Sequence, residues 1–411
     1  MKNKYSLFSV YGIEIEYMIV DFKSLNPLPI ADKVLQELNN GEITNEVELG
    51  DIAVSNELAL HVIELKTNGP TKELLNLDQK FSKVVIKIQD ILNNYNAIIL
   101  PTGMHPWFTP DKTLKLWPHS NNEIYDLYHE IFNCEGHGWG NLQSTHINLP
   151  FANEEEFIKL HEAIRLLLPI IPALTSSTPF VSENNTNTAN NRLLYYGKNQ
   201  ALLPCISGKI IPEAVNSYND YHTKILNPMY EAISPYDPEK ILQDEWLNSR
   251  GAIARFERNA IEIRIVDSQE SPIMDTICVM LIVNALKYLI IPKLDSKELK
   301  IHDLDILVKI YQDCIKNGSK AVIADSEYLS IFALNNKHDN SLTAKDIWLN
   351  IFENIKNQIP VGYHNVIEAH LESGNLADRL IKSHSDGESL LNIYKNLHRC
   401  LIENKIYKNE Q

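Results

Sequence analysis

Hydrophobic and polar residues alternate near the start of the chain, in the segment VYGIEIEYMIVD. Successive side chains of a β-strand point to opposite faces, so the isoleucines and the first tyrosine after the glycine share one face, and Glu14 and Glu16 share the other. The apolar face is typical of a strand that packs on a core. Two neighbouring carboxylates repel each other unless solvent or a cation compensates them. This segment alone leaves open both a solvated edge strand and a metal site.

Three later segments, STHINL, AIEIRIVD and LHVIELKT, repeat this alternation and each places two polar side chains on one predicted face. These pairs are His146 with Asn148, Glu262 with Arg264, and Glu64 with Lys66, while Glu57 precedes Glu64 by seven residues, across a predicted bend. If the four segments join one sheet, a single face collects several carboxylates, an imidazole and an arginine.

Longer apolar periodicities predict helices that cover such a sheet. KELLNLDQKFSKVVIKIQDILNN carries apolar residues at three- and four-residue spacing, and NEEEFIKLHEAIRLLLPII begins with Asn153 as its predicted N-cap. Residues 181–216 are rich in turn-forming residues and predict a long functional loop. We expect an α+β fold, with a sheet-and-helix domain at residues 1–295 and a helical C-terminal region at residues 296–411 that packs on the same domain.

The bulk properties argue against several classes of protein. The formal net charge of −15 disfavours nucleic-acid binding, which depends on basic surfaces. The N-terminal segment lacks a signal-peptide pattern, which indicates a cytoplasmic location, and the five scattered cysteines indicate reduced thiols. The apolar segment at residues 273–291 is nearly long enough to span a bilayer, but polar residues interrupt it. We therefore expect no membrane association and a buried amphipathic helix that stops at Pro292.

The residue types on the predicted polar face favour one kind of metal chemistry. Several carboxylates and one histidine form a set of hard ligands, which suits Mg²⁺, or alternatively Mn²⁺, held against phosphate oxygens. Zinc-dependent hydrolysis is the rival, but the sequence contains no HExxH motif. It also contains neither GxxxxGK[ST] nor GxGxxG, so ATP would be held through metal ions and arginines.

Four of these segments together resemble a known family. GIEIEY, NELALHVIELKT, STHINLPF and IEIRIVDSQESP, in this order, are similar to segments of the glutamate–cysteine ligase family, in particular the bacterial carboxylate–amine ligases of family 2. The resemblance covers about residues 10–290. It implies a glutamine-synthetase-like catalytic fold, in which the concave face of a curved antiparallel sheet binds ATP and up to three magnesium ions.

The resemblance also implies roles for individual residues. Arg264 would contact the transferring phosphoryl group, Arg264 and Asn148 would bind ATP, and Arg192, in NNRLLYY, would help to bind the substrate. Glu57 departs from the family pattern, which has aspartate at this position in its better-known members. The implied metal ligands are Glu14, Glu16, Glu57, Glu64, His146 and Glu262.

The implied reaction activates a carboxylate, expected to be the γ-carboxylate of glutamate, as an acyl phosphate and joins it to an amine. The partners are then small-molecule amino acid and amine substrates, with the amine and the oligomeric state left open. A phosphotransferase on the same fold and a non-catalytic nucleotide-binding descendant remain alternatives. The role of His105, in a GMHP turn, is also open.

Overall fold

The first alternating segment forms a strand whose apolar face lies in the core. A computed structural model of the chain describes residues 4–111, 113–291, 302–334 and 341–408. In the first strand, Ile13, Ile15 and Tyr17 are buried in the main hydrophobic core, as the alternation predicts. The chain is an α+β protein built on an open antiparallel sheet, which confirms the predicted fold class.

The large sheet has eight strands in the order β2-β3-β4-β1-β6-β10-β9, and β5 pairs with the second half of β1. Its strands are β1 (Gly12–Asp21), β2 (Glu46–Leu49), β3 (Ile52–Asn56), β4 (Val62–Thr67), β5 (Ala97–Leu100), β6 (Ser144–Pro150), β9 (Ala252–Arg255) and β10 (Ala260–Asp267). Two small two-stranded sheets pair β7 (Phe180–Val181) with β8 (Asn184–Asn185) and β11 (Val322–Ile323) with β12 (Leu342–Thr343).

Helices connect these strands and form the C-terminal region. They are α1 (Ala31–Leu38), α2 (Leu77–Asn93), α3 (Asn122–Phe132), α4 (His137–Gly140), α5 (Glu154–Leu167), α6 (Ile171–Thr175), α7 (Asn191–Tyr196), α8 (Tyr218–Tyr221), α9 (Asn227–Ile233), α10 (Pro272–Ile290), α11 (Leu304–Asn317), α12 (Ser326–Ile331), α13 (Ala344–Ile355), α14 (His364–Ser373), α15 (Leu376–Ser385) and α16 (Leu390–Glu403). Helices α2 and α5 are the two that periodicity predicts, and the side chain of Asn153 caps α5 by accepting a hydrogen bond from the Glu156 N–H.

The most apolar helix, α10, lies inside the fold and contacts α2, α5 and α13. By length and composition it is the one helix of the described residues that could span a membrane, and most of it is buried. Buried residues surround its axis, so the expected amphipathic stripe is absent: protein covers nearly every face. The helix ends at Ile290, and the predicted stop at Pro292 lies outside the described residues.

The second face of the sheet is divided along β1. Met18 and Val20, in the second half of β1, pack with Leu397 and other residues of α15 and α16 in a separate apolar cluster. In the first half of β1, Glu14 and Glu16 lie on this same face and border open cavities. The C-terminal helices therefore cover one end of this face and leave the acidic end accessible. The predicted boundary at residues 295–296 lies outside the described residues.

A β-bulge interrupts the alternation of β10. Ile263 pairs with Ile147, but Val266 pairs with Thr145, so β10 has one more residue than β6 between these two pairs. The polar face therefore shifts from even-numbered to odd-numbered positions, and Asp267 lies on the same side as Glu262.

The predicted long loop at residues 181–216 contains regular structure at its start. It includes part of the β7-β8 hairpin and helix α7, which the side chain of Asn190 caps by accepting a hydrogen bond from the Leu193 N–H. The helix places Arg192 beside the sheet, and the remainder is mainly turns.

Candidate active site

Three antiparallel strand pairs bring the predicted acidic side chains onto one face. In the sheet register, Glu14 lies opposite His146, Glu16 opposite Glu64, and Glu262 opposite Asn148. Directly opposite residues of neighbouring strands project to the same face. Long-range pairing therefore collects side chains that are far apart in the sequence.

His146 lies at the centre of this acidic face. Its Nδ1 is 3.1 Å from Glu14 Oε2 and 3.7 Å from Glu262 Oε1, and its Nε2 is 3.9 Å from Glu16 Oε1. The Ser144 hydroxyl lies 2.9 Å from the same Nε2. The imidazole thus contacts three acidic side chains and a hydroxyl at the centre of the cluster.

Neighbouring strands also fix the orientation of individual carboxylates. The Ser144 N–H donates to Glu16 Oε2 over 2.7 Å, and the Ser144 hydroxyl donates to the same oxygen over 3.0 Å. The Ser55 hydroxyl donates to Glu64 Oε1 over 2.8 Å, and Lys66 Nζ lies 3.3 Å from that oxygen. These contacts occupy one oxygen of each carboxylate.

The protein alone provides too little positive charge for this face. Burial, followed by the charges of Glu64 and Glu16, raises the pKa of Glu57 well above its usual value. Burial and the charge of Glu14 likewise raise the pKa of Glu64. Burial alone would lower the pKa of His146, but its hydrogen bond with Glu14 and the charges of Glu16 and Glu262 raise it above its usual value.

The donor set and its electrostatics fit hard divalent cations. Two groups of ligand atoms, each within 4.8 Å, share the imidazole: Glu14, His146 and Glu262 form one, and Glu16, Glu64 and His146 form the other. Oxygen-rich sets of this kind suit Mg²⁺ or Mn²⁺. Glu57 belongs to neither group, although it lines both cavities beside them.

Arginines border the acidic face on the β9-β10 side. Arg264 Nε lies 2.9 Å from Glu262 Oε1, and Arg255 Nη1 lies 3.4 Å from Glu262 Oε2. Glu262 is buried, while the Arg264 side chain keeps 24% of its surface exposed. Because of this exposure, Arg264 can contact a ligand above the sheet while remaining paired with Glu262.

Two adjoining cavities lie over this face. The larger has a volume of about 460 Å³ and is bordered by the acidic cluster together with Lys66, Arg255 and Arg258. The smaller has a volume of about 220 Å³ and extends toward α7. Arg264 and His146 line both cavities, so they lie where the two spaces meet.

The smaller cavity combines aromatic walls with hydrogen-bonding groups. Its aromatic residues are Tyr125, Tyr128, Trp139, Tyr196 and Trp246. Among the described residues, no side chain or backbone group pairs with Gln200 Oε1, Asn199 Oδ1 or Arg192 Nε, although all three atoms are buried. A buried polar atom without a partner is costly, so these atoms indicate a place where a polar ligand binds.

Asn148 and His105 both make defined contacts within the protein, and the contact of Asn148 with ATP stays a prediction. Asn148 donates a hydrogen bond from Nδ2 to Glu14 Oε1 over 3.0 Å, and thereby orients a carboxylate. His105 is buried and lies within hydrogen-bond distance of Leu25 O through Nε2, while its Nδ1 accepts from the Phe108 N–H. His105 therefore holds a turn together.

Sequence reasoning missed several residues of the site. Ser144 and Ser55 carry no signal beyond their places in the strands, and Gln200 lies in the segment without periodicity. Asp267 falls on the apolar face when β10 is read as an unbroken alternation, and only the bulge places it beside Arg192. The sequence did contain one indication: in an unbroken alternation, Asp267 would follow three isoleucines on the buried face, where an unpaired carboxylate is costly.

Comparisons with known proteins agree with this architecture. The sequence profile of Glutamate-cysteine ligase family 2 (GCS2) matches residues 10–295. An uncharacterized protein from Archaeoglobus fulgidus is 30% identical over 398 residues, covering 96% of this chain and 99% of that protein.

Two crystal structures show the same fold at low sequence identity. Glutamate–cysteine ligase from Francisella tularensis, in complex with AMP, is 13% identical and aligns with a TM-score of 0.62 over 99% of this chain and 91% of that chain. A bifunctional glutathione synthetase from Pasteurella multocida is also 13% identical, with a TM-score of 0.57 over 97% of this chain and 53% of that chain.

Proposed function

The chain belongs to glutamate–cysteine ligase family 2, and we propose that it is an ATP-dependent carboxylate–amine ligase. In the first step, an oxygen of the substrate carboxylate attacks the γ-phosphorus of ATP, and ADP leaves. In the second step, the amine nitrogen attacks the carbonyl carbon of the acyl phosphate, the bond to the phosphate oxygen breaks, and the nitrogen loses a proton. The products are an amide, ADP and phosphate.

The position of Arg264 carries this proposal. The reaction requires one site for the nucleotide and one for the acid substrate. The two sites must meet where the phosphoryl group is transferred. Arg264 lines both cavities, and its guanidinium is paired with Glu262 at the edge of the acidic face. A preorganised arginine at this junction can stabilise charge on the phosphoryl group as it moves between the two substrates.

We assign the larger cavity to the phosphates of ATP and the cations that accompany them. Glu14, Glu16, Glu64, His146 and Glu262 would hold Mg²⁺, and Glu57 would contribute from the edge of the cavity. The bound cations supply charge neutralisation and orientation of the phosphate oxygens. The serines and Asn148 keep the carboxylates in place.

We assign the smaller cavity to the acid substrate. Arg192 Nε is an unpaired donor suited to a carboxylate oxygen, and the oxygens of Gln200 and Asn199 are unpaired acceptors suited to an ammonium group. These three residues line one small cavity, and a donor with two acceptors matches the charged groups of an α-amino acid, which supports glutamate as the acid. The aromatic walls reduce access of water to the acyl phosphate.

A substrate screen tests the proposal. The purified protein is incubated with Mg-ATP, L-glutamate and a panel of amines and amino acids, and ADP release is measured together with mass analysis of the products. We expect ADP release that depends on both an acid and an amine, with a product whose mass corresponds to loss of water between them. A phosphorylated acceptor would instead show a phosphotransferase, and no turnover with any pair would indicate a non-catalytic protein.

A further inference from the structure

Asp267 is a fully buried carboxylate beside the smaller cavity. Its Oδ1 accepts a hydrogen bond from Arg192 Nη1 over 3.2 Å. Its Oδ2 accepts from the Ser177 N–H over 2.9 Å and from the hydroxyls of Ser177 and Thr178 over 3.2 and 3.3 Å. The carboxylate is therefore held by three separate residues, and one of them is a cation at the cavity wall.

The β10 bulge brings Asp267 to this position. Asp267 pairs with Ser144 in the sheet register, on the same side as the acidic face. Without the extra residue in β10, the Asp267 side chain would point into the core and away from Arg192. The bulge thus has a specific consequence for the site, because it supplies a partner for one arginine.

Within the described part of the chain, the contacts of Arg192 occupy both terminal nitrogens of its guanidinium and leave Nε as the nitrogen without a partner. Nη1 binds Asp267, Nη2 donates to the Arg264 carbonyl oxygen over 2.8 Å, and Nε has no partner among the described residues. The guanidinium also lies over the Tyr196 ring, with its carbon 5.9 Å from the ring centroid. An arginine side chain has many rotamers, so such contacts decide where the free Nε is presented.

Close packing around the pair restricts other arrangements. A Cβ atom added to Gly103 would lie 2.9 Å from Asp267 Cγ and 3.0 Å from Arg192 Cδ. Contacts below about 3.4 Å require the neighbours to move. The backbone of Gly103 therefore packs directly against both members of the pair.

We propose that Asp267 is a positioning residue, which holds the Arg192 guanidinium so that Nε is presented to the carboxylate of the acid substrate. The substrate part of this statement rests on the proposed function; the placement of Arg192 by Asp267 does not. Asp267 acts through Arg192, so its removal should affect binding of the acid more than the chemical step or the binding of ATP.

Steady-state kinetics with L-glutamate, Mg-ATP and a saturating amine found in the substrate screen test the proposal. Asp267→Asn should raise the KM for L-glutamate about tenfold or more, because a hydrogen bond between charged groups is lost, while kcat and the KM for ATP change less than threefold. Asp275→Asn is the matched control. Asp275 is also fully buried and accepts hydrogen bonds, but from Thr145 and Gln269, and it contacts Tyr17 on the core face. The KM of this control for L-glutamate should equal that of the unaltered protein.

A double-mutant cycle separates positioning from general stability. If Asp267 acts only through Arg192, Asp267→Asn combined with Arg192→Gln should raise the KM for L-glutamate no further than Arg192→Gln alone. Additive effects, or an unchanged KM in Asp267→Asn, would overturn the proposal. If Asp267→Asn does not fold, Gly103→Ala displaces the same pair without changing its charge and should raise the same KM; an unchanged KM in that variant would also count against it.

A crystal structure of Asp267→Asn provides a readout that is independent of turnover. We expect the Arg192 guanidinium to leave its position at the wall of the smaller cavity. A guanidinium that stays in place shows that Asp267 does not position it. If the unaltered protein releases no ADP with L-glutamate and any amine of the screen, glutamate is not the acid substrate and that part of the proposed function fails, while the crystal structure still decides the placement of Arg192.

Discussion

Single carboxylates of the acidic face are oriented by donors from neighbouring strands. Glu16 receives the Ser144 N–H and hydroxyl at Oε2, while its Oε1 faces His146 at 3.9 Å. One oxygen is thus used for orientation and the other remains directed at the centre of the cluster. Supporting contacts of this kind are typical of ligands that must hold a fixed geometry.

Glu16→Gln should lower turnover at least about a hundredfold while the protein remains folded. The amide oxygen can still accept from Ser144, but the negative charge beside His146 is lost. Turnover is measured as ADP release, and folding by circular dichroism and thermal unfolding. Glu48→Gln, at an exposed position of β2, is the matched control and should retain full activity.

Arg264 and Glu262 are paired, yet their substitutions should have different effects. Arg264→Lys keeps the charge but loses the planar fork, so it should lower kcat more than it raises the KM for ATP. Loss of one preorganised donor typically costs about 3 kcal/mol of barrier, on the order of a hundredfold in rate. Glu262→Gln should instead weaken the binding of metal and nucleotide together.

Kinetics and calorimetry of these two variants distinguish the roles. If Arg264→Lys leaves kcat within about twofold of the unaltered enzyme, the arginine has a structural role and the phosphoryl-transfer role is wrong. If Glu262→Gln binds Mg-ATP with unchanged affinity, Glu262 serves only to pair the two arginines.

Among the secondary-structure elements, β1 contributes to two different environments. Its first half pairs with β6 and carries the acidic residues, while its second half pairs with β5 and carries Met18 and Val20. Helices α15 and α16 pack on the side chains of this second half. Stability of the C-terminal region and geometry of the site are therefore linked through one strand.

Leu397→Ala in α16 should destabilise the protein by about 2–5 kcal/mol, because it removes a fully buried side chain from the cluster on β1 and β5. Leu391→Ala, on the same helix but 38% exposed, should change the free energy of unfolding by less than about 1 kcal/mol. Urea unfolding measures both. Equal effects of the two substitutions would contradict the packing of α16 on the sheet.

Unbroken alternation is what made part of the site predictable from the sequence. Glu14 and Glu16 lie on one face because β1 has no bulge there, and the same holds for His146 and Asn148 in β6. Asp267 was not predictable, since a bulge is a change in backbone pairing that leaves no period in the sequence.

Residues outside the strands are harder to place from sequence. Gln200 and Asn199 reach the smaller cavity through contacts between distant segments, such as the hydrogen bond from Gln200 Nε2 to the Ser249 hydroxyl over 2.7 Å. Their segment has no hydrophobic period from which a face could be derived. Local patterns specify strand faces, whereas the cavity depends on the packing of the whole chain.

On the scale of the whole molecule, buried neutral histidines should make stability depend on pH. Burial lowers the pKa of His61 and His370 to about 4, and that of His105 and His161 to about 3. In the unfolded chain these groups titrate near pH 6.5, so the unfolded state binds more protons below that value. Their contribution to stability is present above about pH 6.5 and is lost as the pH falls toward 4.

The buried histidines should therefore lower the melting temperature as the pH falls from 7.5 to 5, whereas Glu57, Glu64 and Asp275, whose pKa values burial raises, act in the opposite direction. His370→Gln isolates one contribution, because glutamine takes up no proton and its amide can still donate to the Leu174 carbonyl oxygen, which lies 3.0 Å from His370 Nε2. Between pH 7.5 and pH 5, the melting temperature of this variant should fall less, or rise more, than that of the unaltered protein. An identical change in both proteins would show that His370 does not contribute to the acid sensitivity.

The charge of the whole protein makes ATP binding a sensitive test of the acidic face. With a formal net charge of −15 and several carboxylates lining the larger cavity, the protein should repel free triphosphate. Calorimetry should therefore detect ATP binding with MgCl₂ and at least about tenfold weaker binding with EDTA. Added NaCl screens the repulsion between the negatively charged protein and ATP, but Na⁺ does not replace a divalent cation bound between the carboxylates and the phosphates. NaCl should therefore not restore the affinity for ATP in EDTA. Equal affinity with and without EDTA would show that the carboxylates do not bind metal with the nucleotide, and recovery in NaCl would reduce their role to unspecific repulsion.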